Sequence, residues 1–458
     1  MSDDLLFTNF TFDPDCYYFL YLGDLKGYGL NELLRETLSR RLQRRVEFIA
    51  IVPDIMAQYN YRNILVVNPL VGRDGAGRMV SRRPPSGVFM RAVSTGREVA
   101  RLVERILENQ EHLYLSLWES KPELTLDERP EVSILGPDKA VADRVNNKIF
   151  QYETLKEVVP VVDFRVCRGR DELLDMTRAL RPRWREGIFV SRAYSAAGIG
   201  SAITHTPSDV EQFCHGCADG EPYLISPYLP HEHDPTVLGV VANERQVFIA
   251  GVADQVIVDG NRFVGSTYPS VLSEEIRQRL RELTRKTGRI LGGCGYRGIF
   301  GCDYLIDRDG EIRFLEVNAR KQGTTLEFCY TLEQILPPGA PLLPELEYCA
   351  VVENRFPDSV VEPAREGDEL HWGTYNDKIM QDIETRGYIP QTNRERRMFA
   401  AVAGTGLEKD YVIIEHIGSG QAAAAGVFLA RAVSVAKNRA GMRDGLKSAQ
   451  RCIRGTIG

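Results

Sequence analysis

The feature that most constrains this chain is a pair of apolar strands carrying acids on one face. Gly298-Ile299-Phe300-Gly301-Cys302-Asp303-Tyr304-Leu305-Ile306 reads as the first strand, and Glu311-Ile312-Arg313-Phe314-Leu315-Glu316-Val317-Asn318 as the second. Asp307-Arg308-Asp309-Gly310 joins them, with Asp and Gly where a tight connection wants them. Pairing Ile306 with Glu311 puts Asp303 opposite Phe314 and Gly301 opposite Glu316. Asp303, Glu316 and Asn318 then share a face, with Asp303 and Glu316 as diagonal neighbours within reach of one ion. Arg320 lies beyond them if the strand continues. Two carboxylates and an amide oxygen on one face are costly without a counter-charge, and hard oxygen ligands suit Mg²⁺ bridging nucleotide phosphates. An ordinary solvated sheet face is the plainer alternative, and Phe314 with its apolar flanks argues against it.

A chain of 458 residues exceeds one ordinary core, so two or three domains are expected. Strands over 17–22, 46–51 and 63–67 and helices over 30–42 and 98–109 predict an open α/β domain across residues 1–125. The polar, Pro-bounded stretch 121–130 reads as a linker. A second unit, residues 130–335, carries helices over 138–150, 171–178, 207–214 and 273–291 and a strand-rich stretch over 237–264. Its subdomain at about 150–225 holds the Ser/Ala/Gly loop described below. Prolines 337, 338, 341 and 344 mark an exit, and residues 340–458 are expected to form a third, α+β unit with a helix over 421–438. The apolar run Ala422 to Ala436, taken as helix, offers a homodimer contact. The fold class is therefore a multidomain α/β and α+β chain.

Charges of both signs are mixed, with a formal net charge of −6, which gives no electrostatic reason for a nucleic-acid partner. The cluster from Arg40 to Arg45 ends a helix pattern, where cations suit the C-terminus. The acidic N-terminus does not resemble a signal peptide, and no apolar run approaches the roughly 18 residues of a membrane span. Nine scattered cysteines favour reduced thiols and a cytoplasmic setting. Cys214-His215-Gly216-Cys217 is half a zinc site with no matching second half.

A second chemical feature follows the strand ending at Val190-Ser191-Arg192. Tyr194-Ser195-Ala196-Ala197-Gly198-Ile199-Gly200 is a run of small residues whose backbone N–H groups can approach phosphate closely. The chain has no GxxxxGK[ST] sequence. Its one GxGxxG, Gly293 to Gly298, follows a helix and precedes a strand, the reverse of the dinucleotide order.

Taken together, Ile134 to Thr331 resembles the ATP-grasp superfamily. Asp303, thirteen residues before the Glu of Glu316-Val317-Asn318, matches that family's metal-ligand spacing. The resemblance implies ATP and Mg²⁺, in two ions, as cofactors. It implies Lys148 of Asn147-Lys148 as a cation for the α-phosphate. Ser195, Ala196, Ala197 and Gly198 would cover the phosphates, and Ser226, Tyr228 and Leu229 would lie along the adenine hinge. Asp234 would take the ribose hydroxyls, ahead of Glu232, which gives His231-Glu232-His233-Asp234 a role other than zinc. The family's second lysine falls here on Ser191 or Arg192; Arg192 is the expected cation, holding phosphate in a fork.

The domain before the grasp fold resembles the pre-ATP-grasp branch of bacterial peptide ligases found in pheganomycin biosynthesis. That resemblance implies an amide-forming ligase of antibiotic biosynthesis acting through an acyl phosphate, with a small carboxylate and an amine or peptide as substrates. Arg320 and Arg192 are its expected catalytic residues, Arg320 holding the acyl phosphate or oxyanion. A carboxylase-like or kinase-like acceptor, or a non-catalytic ATP-binding module, are the alternatives. The C-terminal unit is expected to bind substrate or to complete the grasp fold. The loop Asp259 to Thr267, with Arg262, is a candidate substrate contact, and Arg394, Arg396 and Arg397 read mainly as surface charge.

Overall fold

The computed structural model describes residues 5–55, 61–73, 75, 79–196, 199–215, 220–258, 262–363, 370–385, 394–417 and 420–455. The N-terminal sheet runs in the order Leu5–Asn9, Ile64–Val67, Val46–Val52, Tyr17–Leu22, Leu113–Leu117, Val132–Leu135. All neighbours are parallel except the outermost pair, Leu5–Asn9 with Ile64–Val67. Separate apolar clusters cover its two faces, and Tyr17–Leu22 is buried throughout. Burial on both faces is why these strands read as unbroken apolar runs. The sixth strand, Val132–Leu135, lies beyond the expected linker, so this sheet extends past residue 125.

A four-stranded antiparallel sheet follows in the order Ile199–Thr204, Ile188–Ala196, Pro222–Pro227, Arg165–Arg168. Helices Gly169–Leu180 and Pro207–Cys214 pack on one face through Leu173, Val210, Val190, Tyr223 and Ile225. The second helix starts from a capping box in which Thr206 and Asp209 satisfy each other's backbone N–H groups.

The expected helix over 138–150 is instead two helices, Lys139–Asn146 and Lys148–Leu155. Asn147 breaks the run by adopting extended φ/ψ and capping the second helix, accepting from Ile149 N and Phe150 N. That break puts Lys148 at a helix start, facing the hairpin.

The large sheet takes in Gly298–Asp307, Ile312–Asn318, Pro235–Val241, Val247–Val258 and Arg262–Tyr268, then continues through His371–Lys378, Phe428–Ala436 and Lys409–Glu415. The C-terminal unit thus completes this sheet. Phe428–Ala436 corrects the expected helix over 421–438, and with it the expected helical dimer contact. The strand is paired along both edges and almost wholly buried. Alanine favours helix in isolation, but a run buried on both faces takes its conformation from its neighbours. The long helix Glu274–Gly293, capped by Ser273, packs on the sheet.

The N-terminal domain is tied to the rest by polar contacts. Arg40 and Arg41 of the basic cluster meet Glu345 and Glu353 at 2.7 Å each. These partly exposed pairs contribute well under about 1 kcal/mol apiece. Arg396 likewise pairs with Glu36 and Glu333, and Arg394 with Asp410. The Lys321–Glu347 pair, at 2.6 Å, is buried, and Lys321 also donates to Leu117 O at 2.7 Å.

Glu395 is buried beside Glu327, and burial pushes its carboxyl up to about 7, with Glu327 adding to the effect. A carboxyl raised on folding stabilises the fold below its unfolded pKa, and that contribution is lost as pH rises through about 7. Each unit of displacement corresponds to about 1.4 kcal/mol. Melting curves of Glu395→Gln and wild type should therefore diverge between pH 4.5 and 7.5, the wild type losing ground as pH rises; parallel curves would refute the assignment.

Candidate active site

The hairpin gathers the acids by a register different from the expected one. Ile306 pairs with Ile312 and Tyr304 with Phe314, one residue displaced from the expected pairing. Alone, that slip would turn Asp303 and Glu316 to opposite faces. A bulge between Asp303 and Tyr304 leaves Leu315 as the extra residue and restores parity, so Asp303 lies directly opposite Glu316 and Gly301 opposite Asn318. Gly301 leaves room for Gln322, whose amide lies only 2.1–2.3 Å from where a Cβ would stand.

Asp303 is buried and held on both oxygens. Thr236 Oγ1 donates to Oδ1 at 2.7 Å, and Asn318 Nδ2 donates to Oδ2 at 2.9 Å. Glu316 is paired with Lys148 across the cleft. Burial, then Glu316, pushes the Asp303 carboxyl up to about 6. Burial also raises Glu316, but Lys148 and Arg320 outweigh it and hold that carboxyl below its usual range. Arg320 NH2 donates to Asn318 Oδ1 at 2.8 Å and NH1 to Lys321 O at 3.2 Å. The hairpin end is braced by Gln151, which bonds both Val317 N and Val317 O at 2.8 Å, and by Asn146, which accepts from Ala319 N at 3.0 Å. Asp303, Glu316, Asn318, Arg320 and Lys148 thus form one connected network.

Arg192 is placed elsewhere. Strand alternation sets Ser191 with Phe189, paired with Leu224 and Ser226, on the face toward helix Lys148–Leu155. Arg192 falls with Val190 and Tyr223 on the face that packs the two covering helices, and its Nε lies 3.6 Å from Glu221. This corrects the expectation of Arg192 as the second phosphate cation: alternation gives Ser191 the inward position, and Ser191 carries no charge. Ser191 Oγ lies 2.8 Å from Ser195 Oγ, at the base of the small-residue loop. Ala197 and Gly198 lie outside the described residues, as do the side chain of Ala196, residues Gly216 and Cys217, and 259–261 of the candidate substrate loop.

Ser226 is buried in the strand Pro222–Pro227, and Tyr228 N donates to Gly187 O. Leu229 O lies 2.9 Å from His231 Nδ1, while His231 Nε2 lies 2.9 Å from Asp234. The hydrogen bond to Asp234, more than any other contact, raises the His231 pKa. These contacts use His231 to orient Asp234, with no zinc-like cluster formed there among the described residues.

The donor set fits a hard divalent cation: two opposed carboxylates and an amide. Asn318 presents its Nδ2 to Asp303 here, so an ion shared by the two side chains requires the amide reversed, an orientation that only the hydrogen-bond network assigns.

Residues 145–324 match the family described as ATP-grasp domain, and that span contains this network. Two curated relatives are similar to parts of the chain. One is the L-propargylglycine–L-glutamate ligase of Streptantibioticus cattleyicolor, 32% identical over 27% of this chain and 25% of that protein. The other is the [butirosin acyl-carrier protein]–L-glutamate ligase of Niallia circulans, 24% identical over 45% of this chain and 50% of that protein. The match spans a quarter and a half of these relatives' lengths. Among solved structures, N5-carboxyaminoimidazole synthase from Aspergillus clavatus, with ADP and 5-aminoimidazole ribonucleotide, superposes with a TM-score of 0.58 at 14% identity, covering 97% of this chain and all of that one. Biotin carboxylase from Campylobacter jejuni gives 0.63 at 14% identity, covering 96% and 91%. At such identity these likenesses establish the fold alone, and they extend it to nearly the whole chain.

Proposed function

We propose that this chain is an ATP- and Mg²⁺-dependent carboxylate–amine ligase. The carrying observation is the direct opposition of Asp303 and Glu316, with Asn318 and Arg320 joined to them. Asp303, Glu316 and Asn318 would hold Mg²⁺, in two ions, which would supply charge neutralisation for the nucleotide phosphates. Lys148 leaves its pairing with Glu316 to meet phosphate, and Arg320 turns from Asn318 toward the carbonyl undergoing attack. Ser195 and the small residues after it would close over the phosphates and exclude water. Ser226, Tyr228 and Leu229 would line the adenine, and Asp234, oriented by His231, the ribose.

In the reaction, a substrate carboxylate attacks the γ-phosphate, ADP leaves, and an acyl phosphate forms. An amine then attacks the acyl carbon, phosphate leaves, and the ammonium of the tetrahedral species gives up its proton to yield an amide. Arg320 is placed to steady the oxyanion of that species. Both curated relatives are named as joining L-glutamate, which supports an amino acid on one side of the reaction and a setting in secondary metabolism. The described cysteines are free thiols, in keeping with a cytoplasmic enzyme.

A screen of amino acids and short peptides with Mg-ATP tests this reading. ADP and phosphate should be released only when an acid is present, and hydroxylamine should trap a hydroxamate. ATP bound without turnover would instead favour a regulatory module.

A further inference from the structure

We infer that Lys26 and Arg83 form a second anion seat beyond Arg320, one that takes the free carboxylate of an amino-acid amine substrate; this rests on the ligase reading above. Lys26 lies in the short 3₁₀ turn Leu25–Gly27 after strand Tyr17–Leu22, and Arg83 lies just before helix Ser86–Thr95. Both cations converge on one atom, Asp24 Oδ2, at 3.4 Å for Lys26 and 2.8 Å for Arg83. Two aromatic rings wall them in. Lys26 Nζ stands 4.8 Å from the Trp118 ring centre, and the Arg83 guanidinium 4.6 Å from that of Phe428.

This cation cluster adjoins the hairpin. Trp118 O accepts from Lys321 N at 3.2 Å, so the ring under Lys26 belongs to the residue on which the strand exit docks. Passing from Glu316 to Arg320 covers four residues, roughly 13 Å of extended chain. Lys148 marks the near, nucleotide end of that path and Lys26 the far end. The carboxylate being activated belongs beside the metal acids, so a second substrate, the amine, enters from the far end. An α-amino acid holds its carboxylate one carbon from its nitrogen, and a cation close beyond Arg320 suits it.

Asp24 bonds both cations, and an oxygen of Asp54 lies within 4.8 Å of it. The other acids nearby already have partners: Asp54 has His416 at 2.7 Å and Leu25 N at 3.0 Å, Glu119 has Lys121 at 3.0 Å, and Glu327 has Arg431 at 2.6 Å. Among the described residues no carboxylate oxygen lies within 4 Å of the Arg320 guanidinium. Burial, with Arg83, Arg431 and Arg320 nearby, holds the Lys26 ammonium down at about 8 in spite of Asp24. An arriving carboxylate relieves that repulsion. The proximity of Asp24, Asp54 and His416 suggests a metal cluster, but their facing atoms are already taken up by Lys26, Arg83 and each other.

The plainer role for these cations is to fasten the N-terminal domain to strand Phe428–Ala436, and the test separates the two. Acceptor amino acids are compared with their α-carboxamides by ADP release, using hydroxylamine as an acceptor without a carboxylate. Wild type should favour the free acid by about 30-fold or more in kcat/KM, the discrimination that one charged hydrogen bond supplies. Lys26→Met and Arg83→Met should remove most of that preference through acceptor KM and leave hydroxamate formation within about twofold, while Lys26→Arg retains it. Equal use of acid and amide by wild type overturns the seat, as does a parallel loss of hydroxamate formation in both Met variants. Absence of any hydroxamate from wild type would instead overturn the ligase reading itself.

Discussion

Asp303→Asn is expected to lower ATP turnover by about a thousandfold or more while leaving the protein folded. The substitution keeps the shape and the hydrogen bond from Thr236 but removes the charge that an ion needs. Its effect on stability has the opposite sign to its effect on activity. The Asp303 carboxyl, pushed up to about 6 by burial and by Glu316, is costly to hold ionised at pH 8. A neutral amide removes that cost, so the melting temperature should stay level or rise. Steady-state ADP release and a melting curve on the same preparation check both halves. Turnover within tenfold of wild type would remove Asp303 from the metal site, and a large fall in melting temperature would make it a structural acid.

The second large effect is on stability. Arg431→Met should destabilise the protein by about 3–5 kcal/mol. Arg431 is 2% exposed, and it bonds Glu327 at 2.6 Å, Asn376 at 3.0 Å and Gly323 O at 2.5 Å. Removing it leaves the Glu327 carboxylate buried without its cation, beside Glu395. Glu327 Oε2 already has no hydrogen-bond partner among the described residues, so it has little else to rely on. The paired change Arg431→Met with Glu327→Leu should recover most of the loss, since two apolar side chains can replace a buried ion pair. Denaturant midpoints for both single variants and the double variant close the cycle. A single-variant loss under about 1 kcal/mol would show that the pair is solvated in solution.

The parts of this molecule legible in the sequence were those fixed by local chemistry. The Asp-Gly turn and the alternation around Asp303 located the hairpin, and the helices expected over 207–214 and 273–291 stand as Pro207–Cys214 and Glu274–Gly293. The bulge at Leu315 was not legible, because nothing local distinguishes it from a regular strand residue. The acids shared a face only because two one-residue shifts cancelled. Arg192 was favoured for its charge, while face alternation, set by pairing with Tyr223, directs it to Glu221. The run Ala430 to Ala436 has the composition of a helix and becomes a strand because both its edges find partners. Lys26 and Arg83 gave no signal, since their relation to Arg320 arises only when domains distant in sequence pack together.

The most direct measurement follows oxygen from acid to phosphate. With the substrate carboxylate labelled with ¹⁸O, attack on the γ-phosphate followed by amine attack at the acyl carbon carries one labelled oxygen into the phosphate released. The account predicts ¹⁸O in inorganic phosphate, alongside unlabelled ADP. Label in AMP, with release of pyrophosphate, would mean attack at the α-phosphate and would contradict it.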